Sequence, residues 1–141
     1  MATIQRFQSN ARMSGVVSHG DLLYLSGQVP TDLQVGIEEQ TQQVLAKIEA
    51  LLSLAGSDKG QLVSAQIWLK DIDRDFALMN SVWDAWLPTD SAPARATVQA
   101  RLARPEVLVE IMVVAGKLAS GGGKAGLRFS FRRKKGTCDN R

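Results

Sequence analysis

The sequence predicts an α+β fold in which six strands form one sheet and two helices pack against one face of that sheet. Two segments carry apolar residues at three- and four-residue steps, as helices do, whereas six others alternate or are short and apolar. Their order along the chain is β-β-β-α-β-α-β-β. With 141 residues, of which 45% are hydrophobic, the chain is long enough for one domain with a single core.

Three strands are predicted in the N-terminal part of the chain. Residues 3–7 alternate weakly, which is typical of an edge strand. Residues 16–19 and 22–28 flank the sequence HGD, whose residues favour the turn of a β-hairpin. Pro30 takes the chain out of the sheet, because proline cannot donate a hydrogen bond to a neighbouring strand.

The clearest helix is predicted at residues 37–54. Its apolar residues recur at steps of three and four positions. Glu38 and Glu39 lie in the first turn, where negative charge complements the helix dipole. Gly56 follows as a C-terminal stop.

A second helix is predicted at residues 74–87. Asp71 or Asp73 can cap its N-terminus, and Pro88 ends it. The predicted apolar face of this helix consists of Phe76, Met79, Val82, Trp83 and Trp86.

The remaining three strands are predicted around and after this helix. In residues 61–69 the side chains alternate, with Leu62 and Ser64 on one face and Val63 and Ala65 on the other. The stretch SAPARATVQARLARP contains a short strand that alternates over residues 97–102. The final segment, EVLVEIMVVAG, is apolar nearly throughout, which predicts a central strand covered on both faces.

The charge of the chain is unevenly distributed. Residues 1–116 form the predicted domain and carry a net charge of −4, whereas residues 117–141 carry eight Lys or Arg and one Asp. This basic C-terminal tail is predicted to be disordered because it begins with a Gly-rich linker and has no periodic apolar face. The acidic domain argues against a nucleic-acid partner.

Several classes of protein are not expected from the composition. No apolar run approaches the ~20 residues of a membrane-spanning helix, and the polar N-terminus has no signal-peptide segment. The single cysteine, Cys138, cannot form an internal disulfide, which favours a cytoplasmic protein. One histidine and one cysteine do not suffice for a zinc site, and no cofactor is expected.

Three positions could carry chemistry. Arg95 stands at the start of a strand between Ala94 and Ala96, so its guanidinium could grip a carboxylate or could be an ordinary surface charge. Ser26-Gly27 could offer N–H groups to an anion or mark a strand exit. Glu110 is a buried acid with a shifted pKa, one half of an ion pair, or a group exposed at a subunit surface.

Three blocks together carry a resemblance to a known family. LYLSGQVP, DFALMNSVWDAW and APARATVQ…VLVEIMVVA occur in this order, and the chain resembles the Rid family of reactive-intermediate deaminases, also called YjgF-like proteins, over about residues 3–115. The resemblance implies a chorismate-mutase-like fold with a mixed sheet, assembled as a homotrimer with a ligand cleft between each pair of subunits. It also implies hydrolysis of enamine or imine intermediates, such as 2-aminoacrylate, to a 2-keto acid and ammonia without a cofactor.

The resemblance also implies site residues. Arg95 matches the arginine that holds the substrate carboxylate and is the one residue expected to be essential for catalysis. Thr97 matches a pocket position that is often cysteine, and Ser26 and Gly27 match a Ser-Gly pair in the same pocket. The two remaining positions are Met13, where the family has an aromatic residue, and Asn80, expected from the neighbouring subunit.

One position departs from the family pattern. Archetypal members carry Glu-Ile-Glu in the last strand, and the second glutamate binds the attacking water; here the strand has Glu110-Ile111-Met112. Methionine cannot orient water or transfer a proton. The sequence therefore leaves three functions open: hydrolytic deamination of 2-imino acids, non-catalytic binding of small 2-keto or carboxylic acids, and an RNA-related activity through the basic tail.

Overall fold

The computed structural model describes residues 3–119, so residues 120–141, most of the predicted tail, lie outside the described part. Its elements follow the predicted order. The two helices are α1 (Ile37–Leu54) and α2 (Ile72–Trp86), and one 3-10 turn at Lys59–Gln61 lies between them. The strands are β1 (Ile4–Ser9), β2 (Ser14–His19), β3 (Leu22–Leu25), β4 (Leu62–Leu69), β5 (Ala94–Gln99) and β6 (Val109–Gly116).

The six strands form one sheet in the order β1-β2-β3-β6-β4-β5. Neighbouring strands are antiparallel except β4 and β5, which are parallel, so the sheet is mixed as predicted. β1 lies at one edge, which confirms the prediction for the first strand. The other edge is β5, the strand that carries Arg95.

Both helices lie on one face of the sheet, which we call the helix face. α1 packs on β3 and β6, and α2 packs on β4 and on α1. Alternate residues of each central strand are buried beneath the helices. The largest fully buried apolar side chains are Leu23, Ile67, Leu69 and Ile111 from the strands and Leu45, Ile48, Leu52 and Met79 from the helices.

The opposite face of the sheet, the open face, has no layer above it within the described chain. Register places Tyr24, Val114 and Ser64 side by side across three strands of this face, and Met112 next to Gln66. Met112 is 39% exposed, although the apolar run of β6 predicts cover on both faces. That prediction is wrong for the single chain, because only the face carrying Ile111 and its alternating neighbours is buried by helices.

Two local predictions for the strands also differ from the structure. A β-bulge between Leu62 and Ser64 inserts Val63 as an extra residue, so Leu62 and Ala65 are both buried although the simple alternation separates them. β5 ends at Gln99, before the predicted residue 102, since the Gln99 side chain accepts the Ile72 N–H at 3.0 Å and the chain then leaves the sheet.

The helix boundaries are close to those predicted. α1 spans the predicted residues, and Gly56 adopts the positive φ of 87° that favours glycine just beyond a helix. α2 begins at Ile72, two residues earlier than predicted, because the Asp71 carboxylate accepts the Arg74 N–H and caps the helix. Phe76, predicted to lie on the apolar face, is 42% exposed.

Gln40 ties α1 to the segment before β6. Its fully buried amide donates to Val35 O and Glu106 O and accepts the Leu108 N–H, at 2.8–3.1 Å. Replacing it with alanine leaves three backbone groups without their buried side-chain partner, and we expect the free energy of unfolding to fall by about 2–3 kcal/mol. Urea unfolding of Gln40→Ala measures this loss, with the exposed Gln42→Ala on the same helix as the control. Equal losses in the two variants would contradict the assignment.

Neither α1 nor α2 is apolar enough over its length to cross a bilayer.

Candidate functional site

Arg95 lies on the helix face at the β5 edge, against the aromatic side chains of α2. Register places it beside Ala65, which is buried under the helices. Its guanidinium carbon lies 5.5 Å from the centre of the Trp83 ring and 6.0 Å from that of Phe76, within the range of cation–π attraction. These contacts fix the guanidinium while its hydrogen-bonding edge remains available.

The Arg95 guanidinium has no carboxylate partner within residues 3–119, where the ion pairs join Lys59 to Glu49 and Arg74 to Asp75. Burial lowers the pKa of Arg95, and the charge of Asp84 opposes this shift. Arginine remains protonated at neutral pH despite such shifts. The Arg95 guanidinium is therefore a partly desolvated cation that can bind an anion from outside the described chain.

Two polar atoms near this guanidinium also have no hydrogen-bond partner in the described chain. Thr97 is two residues further along the same strand face, and its Oγ1 is buried without a partner. Asn80 lies between Phe76 and Trp83 on the face that α2 turns toward β5, and its Oδ1 is equally buried and without a partner. It therefore accompanies Arg95 of its own chain, whereas the resemblance implies an asparagine from the neighbouring subunit. We call Arg95, Thr97, Asn80, Phe76 and Trp83 the arginine half-site.

A second group of predicted residues lies at the end of β3. The Ser26 N–H donates to Gly15 O at 3.0 Å, and Gln28 exchanges two backbone hydrogen bonds with Ile111. The Gln28 amide donates to both Ser26 O and Ser26 Oγ, which fixes the Ser-Gly segment. This segment runs beside β6, and Gln28 forms an isolated antiparallel bridge with Ile111.

Gly27 leaves room beside β6 for the Glu110 carboxyl group, which lies against its Cα. A Cβ added at Gly27 would overlap Glu110 Oε2. Glu110 forms no ion pair within residues 3–119, so the prediction of a basic partner is wrong for the described chain. We call Ser26, Gly27 and Glu110 the glycine half-site.

Partial burial raises the pKa of Glu110 above its usual value near 4.5. The folded state therefore binds this proton more tightly than the unfolded state, and stability is lost as the pH rises from about 4.5 through the folded pKa. Glu110→Gln removes this titration. We therefore expect the free energy of unfolding of the variant, minus that of the native chain, to be larger at about pH 8 than at about pH 4. Urea unfolding at both pH values measures this difference. A difference in unfolding free energy that is the same at both pH values would contradict the raised pKa of Glu110.

The two half-sites do not meet within one chain. β3 and β5 are separated by β6 and β4, and three strand spacings of ~4.8 Å place them about 14 Å apart. They also use opposite faces, because Arg95 belongs to the helix face whereas Glu110 and Met112 belong to the open face. Met13 is exposed in the turn between β1 and β2, beyond the glycine half-site and far from Arg95 in the strand order.

The aromatic side chains that hold the Arg95 guanidinium in place were not predicted from the sequence. Phe76 and Trp83 are predicted as core residues of α2, but both contact Arg95. The seven-residue spacing of two aromatic residues on one helix face was the available signal. Gln28 and the contact between Gly27 and Glu110 have no comparable local signal, since both depend on β6 lying next to β3.

The fold and the half-sites define a class of protein: a small α+β domain with an arginine at a sheet edge that forms no ion pair within the described residues. Similarity to known proteins identifies a family within this class. The family described as Endoribonuclease L-PSP matches residues 3–117. A RutC family protein of Haemophilus influenzae is 45% identical over 114 residues, which cover 80% of this chain and 97% of the relative. The RutC family protein YoaB of Escherichia coli is 47% identical over 113 residues, with the same coverage.

Solved structures similar to this chain include proteins of the YjgF and Rid families. A YjgF family protein from Neisseria meningitidis is 45% identical and superimposes with a TM-score of 0.81, covering 84% of this chain and 98% of its own. A Rid family protein of unknown function from Yersinia pestis is 32% identical with a TM-score of 0.71, covering 77% and 90%. This chain therefore belongs to the Rid family, also known as the YjgF or RutC family.

Proposed function

We propose that the protein hydrolyses small 2-imino acids and their enamine tautomers to 2-keto acids and ammonia, in clefts shared between the subunits of a homotrimer. The observation that carries the proposal is the arginine half-site. Its guanidinium has no carboxylate partner in the described chain, and the oxygens of Thr97 and Asn80 beside it are buried without partners. The single cysteine is compatible with a reducing cytoplasm.

The chemistry of the half-site matches that of a 2-imino acid. A guanidinium binds a carboxylate through two parallel hydrogen bonds. The Asn80 carbonyl oxygen accepts hydrogen bonds, so it suits the N–H of an imine or enamine. The Thr97 hydroxyl can donate or accept, and it can complete the contact to either end of the substrate.

Assembly of several copies would bring the two half-sites together, and the open face offers a surface for it. The open face presents a patch of apolar side chains that includes Val17, Tyr24, Val98, Met112 and Val114. Burying such a patch between copies is favourable by about 25 cal/mol per Å² of apolar surface. In a closed ring each copy would present its β5 edge to the glycine half-site of the next copy.

The reaction needs only water and protons. The water oxygen forms a bond to C2 of the imino acid, the second bond between C2 and nitrogen breaks, and a proton passes from the water to the nitrogen to give a carbinolamine. The hydroxyl proton then passes to the amino nitrogen as the C2–N bond breaks, so ammonia leaves and the oxygen becomes the carbonyl of the 2-keto acid. Arg95 holds the carboxylate, which orients C2, and Asn80 holds the nitrogen. Since Met112 cannot activate water, water from the solvent attacks without a side-chain base at this position.

A coupled assay tests this function. 2-Aminoacrylate generated in situ by an enzyme should disappear faster with the purified protein than without it, and the keto acid and ammonia should form in equal amounts. Light scattering should give a mass three times the 15.3 kDa of one chain. Rates identical to the uncatalysed reaction across several 2-imino acids would refute deamination.

Met112 favours one alternative function. Without an acid at this position, the cleft could bind a 2-keto acid and not turn any imine over. Calorimetry with 2-ketobutyrate then shows saturable binding, whereas the coupled assay shows no acceleration. Binding together with acceleration excludes this alternative.

A further inference from the structure

A cavity lies beside the loop that follows β5. The loop of residues 99–105 and the side chain of Lys70 line it, and its volume is about 760 Å³. Volumes of roughly 300–1,000 Å³ are typical of small-molecule sites. The cavity is larger than the depression of about 370 Å³ whose lining includes Arg95, and Gln99, its lining residue on β5, lies four residues, or about 13 Å, further along the strand.

The charge of the cavity is unusual for this chain. Its lining includes Lys70, Arg101 and Arg104 and no Asp or Glu, whereas residues 1–116 as a whole carry a net charge of −4. None of the three cations forms an ion pair within residues 3–119. Three cations that line one cavity repel one another, so their placement favours a bound anion.

The walls of the cavity are held in place from both ends. The Ala100 N–H donates to Leu69 O and the Lys70 N–H donates to Leu108 O, each at 3.0 Å. The Lys70 ammonium donates to Pro105 O at 2.5 Å, which leaves two of its three protons for a ligand. Gln40 fixes the far end of the loop through its buried amide. A preorganised cavity binds a ligand with little loss of conformational entropy.

We propose that this cavity binds a small phosphorylated molecule, independently of the site at Arg95. Two guanidinium groups can each bind a pair of phosphate oxygens, and the Lys70 ammonium supplies a point charge to the same group. A ligand with more than one negative charge matches three cations better than a monocarboxylate does. The rest of the cavity has room for the organic part of a phosphate ester.

Pyrophosphate is the probe that tests this site in the full-length chain. In two-dimensional ¹H–¹⁵N NMR spectra at constant ionic strength, the amides of residues 100–104 should shift and saturate. The double variant Arg101→Gln, Arg104→Gln should bind at least about tenfold more weakly, since charge-assisted hydrogen bonds are lost. The variant Arg6→Gln, Arg12→Gln, which removes two exposed charges elsewhere, should bind as the native chain does.

Each other outcome would overturn the proposal. Shifts confined to residues 117–141 would show that only the basic tail attracts the anion. Equal affinity of the native chain and the Arg101/Arg104 double variant would exclude the cavity, and equally tight binding of citrate would exclude a preference for phosphate. The single variants Arg101→Gln and Arg104→Gln provide the same comparison if the double variant does not fold.

Discussion

Arg95→Ala is expected to abolish measurable binding of 2-keto acids and to remove the acceleration of imine hydrolysis. Removing one partner of a desolvated, hydrogen-bonded charge pair costs about 2–5 kcal/mol, which corresponds to a loss of roughly 30- to several-thousand-fold in affinity. The fold should survive, because the cation–π contacts of Arg95 with Trp83 and Phe76 contribute only about 0.5–2 kcal/mol. Calorimetry with 2-ketobutyrate measures the loss.

Two further variants make this test specific. Arg95→Lys keeps the charge but not the two parallel hydrogen bonds, so its affinity should lie between those of the native chain and Arg95→Ala. Arg12→Ala removes an exposed arginine from the turn between β1 and β2 and should bind normally. Normal binding by Arg95→Ala, or an equal loss in Arg12→Ala, would contradict the assigned role.

Met112→Glu is expected to increase the rate of imine hydrolysis. A positioned carboxylate that transfers protons contributes on the order of 10²–10⁴ in rate. An increase of about 10- to 100-fold is expected here, since the surrounding side chains are not adapted to a charge at this position. Met112 lies on the open face beside Gln66, so a single folded chain can accommodate the carboxylate. The coupled imine assay measures the change.

Met112→Gln is the matched control for this prediction. It has nearly the same shape as the glutamate variant but cannot accept a proton from water at neutral pH. The two variants should therefore differ in rate by about the full expected increase. Equal rates for the two would show that a carboxylate at this position plays no part, and the link between Met112 and weak water activation would then be wrong.

Local patterns of the sequence predict the order of the elements well. The spacing of apolar residues in α1 and the predicted cap of α2 by Asp71 or Asp73 depend on neighbours a few positions away. The structure confirms the helix and selects Asp71 as the cap. The bulge at Val63 is not predictable in this way, because it arises from the pairing of β4 with β6. The exposure of Met112 likewise depends on which face the helices cover.

The site is less predictable than the fold for the same reason. The residue type of Arg95 and its small neighbours only allow a carboxylate clamp, and the resemblance to a family made it the leading candidate. The contacts of Arg95 with Phe76 and Trp83 form only because α2 lies across β4 toward the edge strand. The separation of Arg95 from Ser26 and Gly27 requires the strand order, which no local pattern contains.

The most direct test of a site shared between subunits is complementation of two inactive variants. Arg95→Ala lacks the arginine half-site, and Gly27→Val displaces Glu110 and blocks the glycine half-site. Each folded variant should be inactive alone. In randomly mixed trimers about one interface in four combines an intact Arg95 with an intact Gly27, so roughly a quarter of the native imine-hydrolysis rate should return. Activity that stays at the level of the separate variants after verified subunit mixing would contradict the shared site.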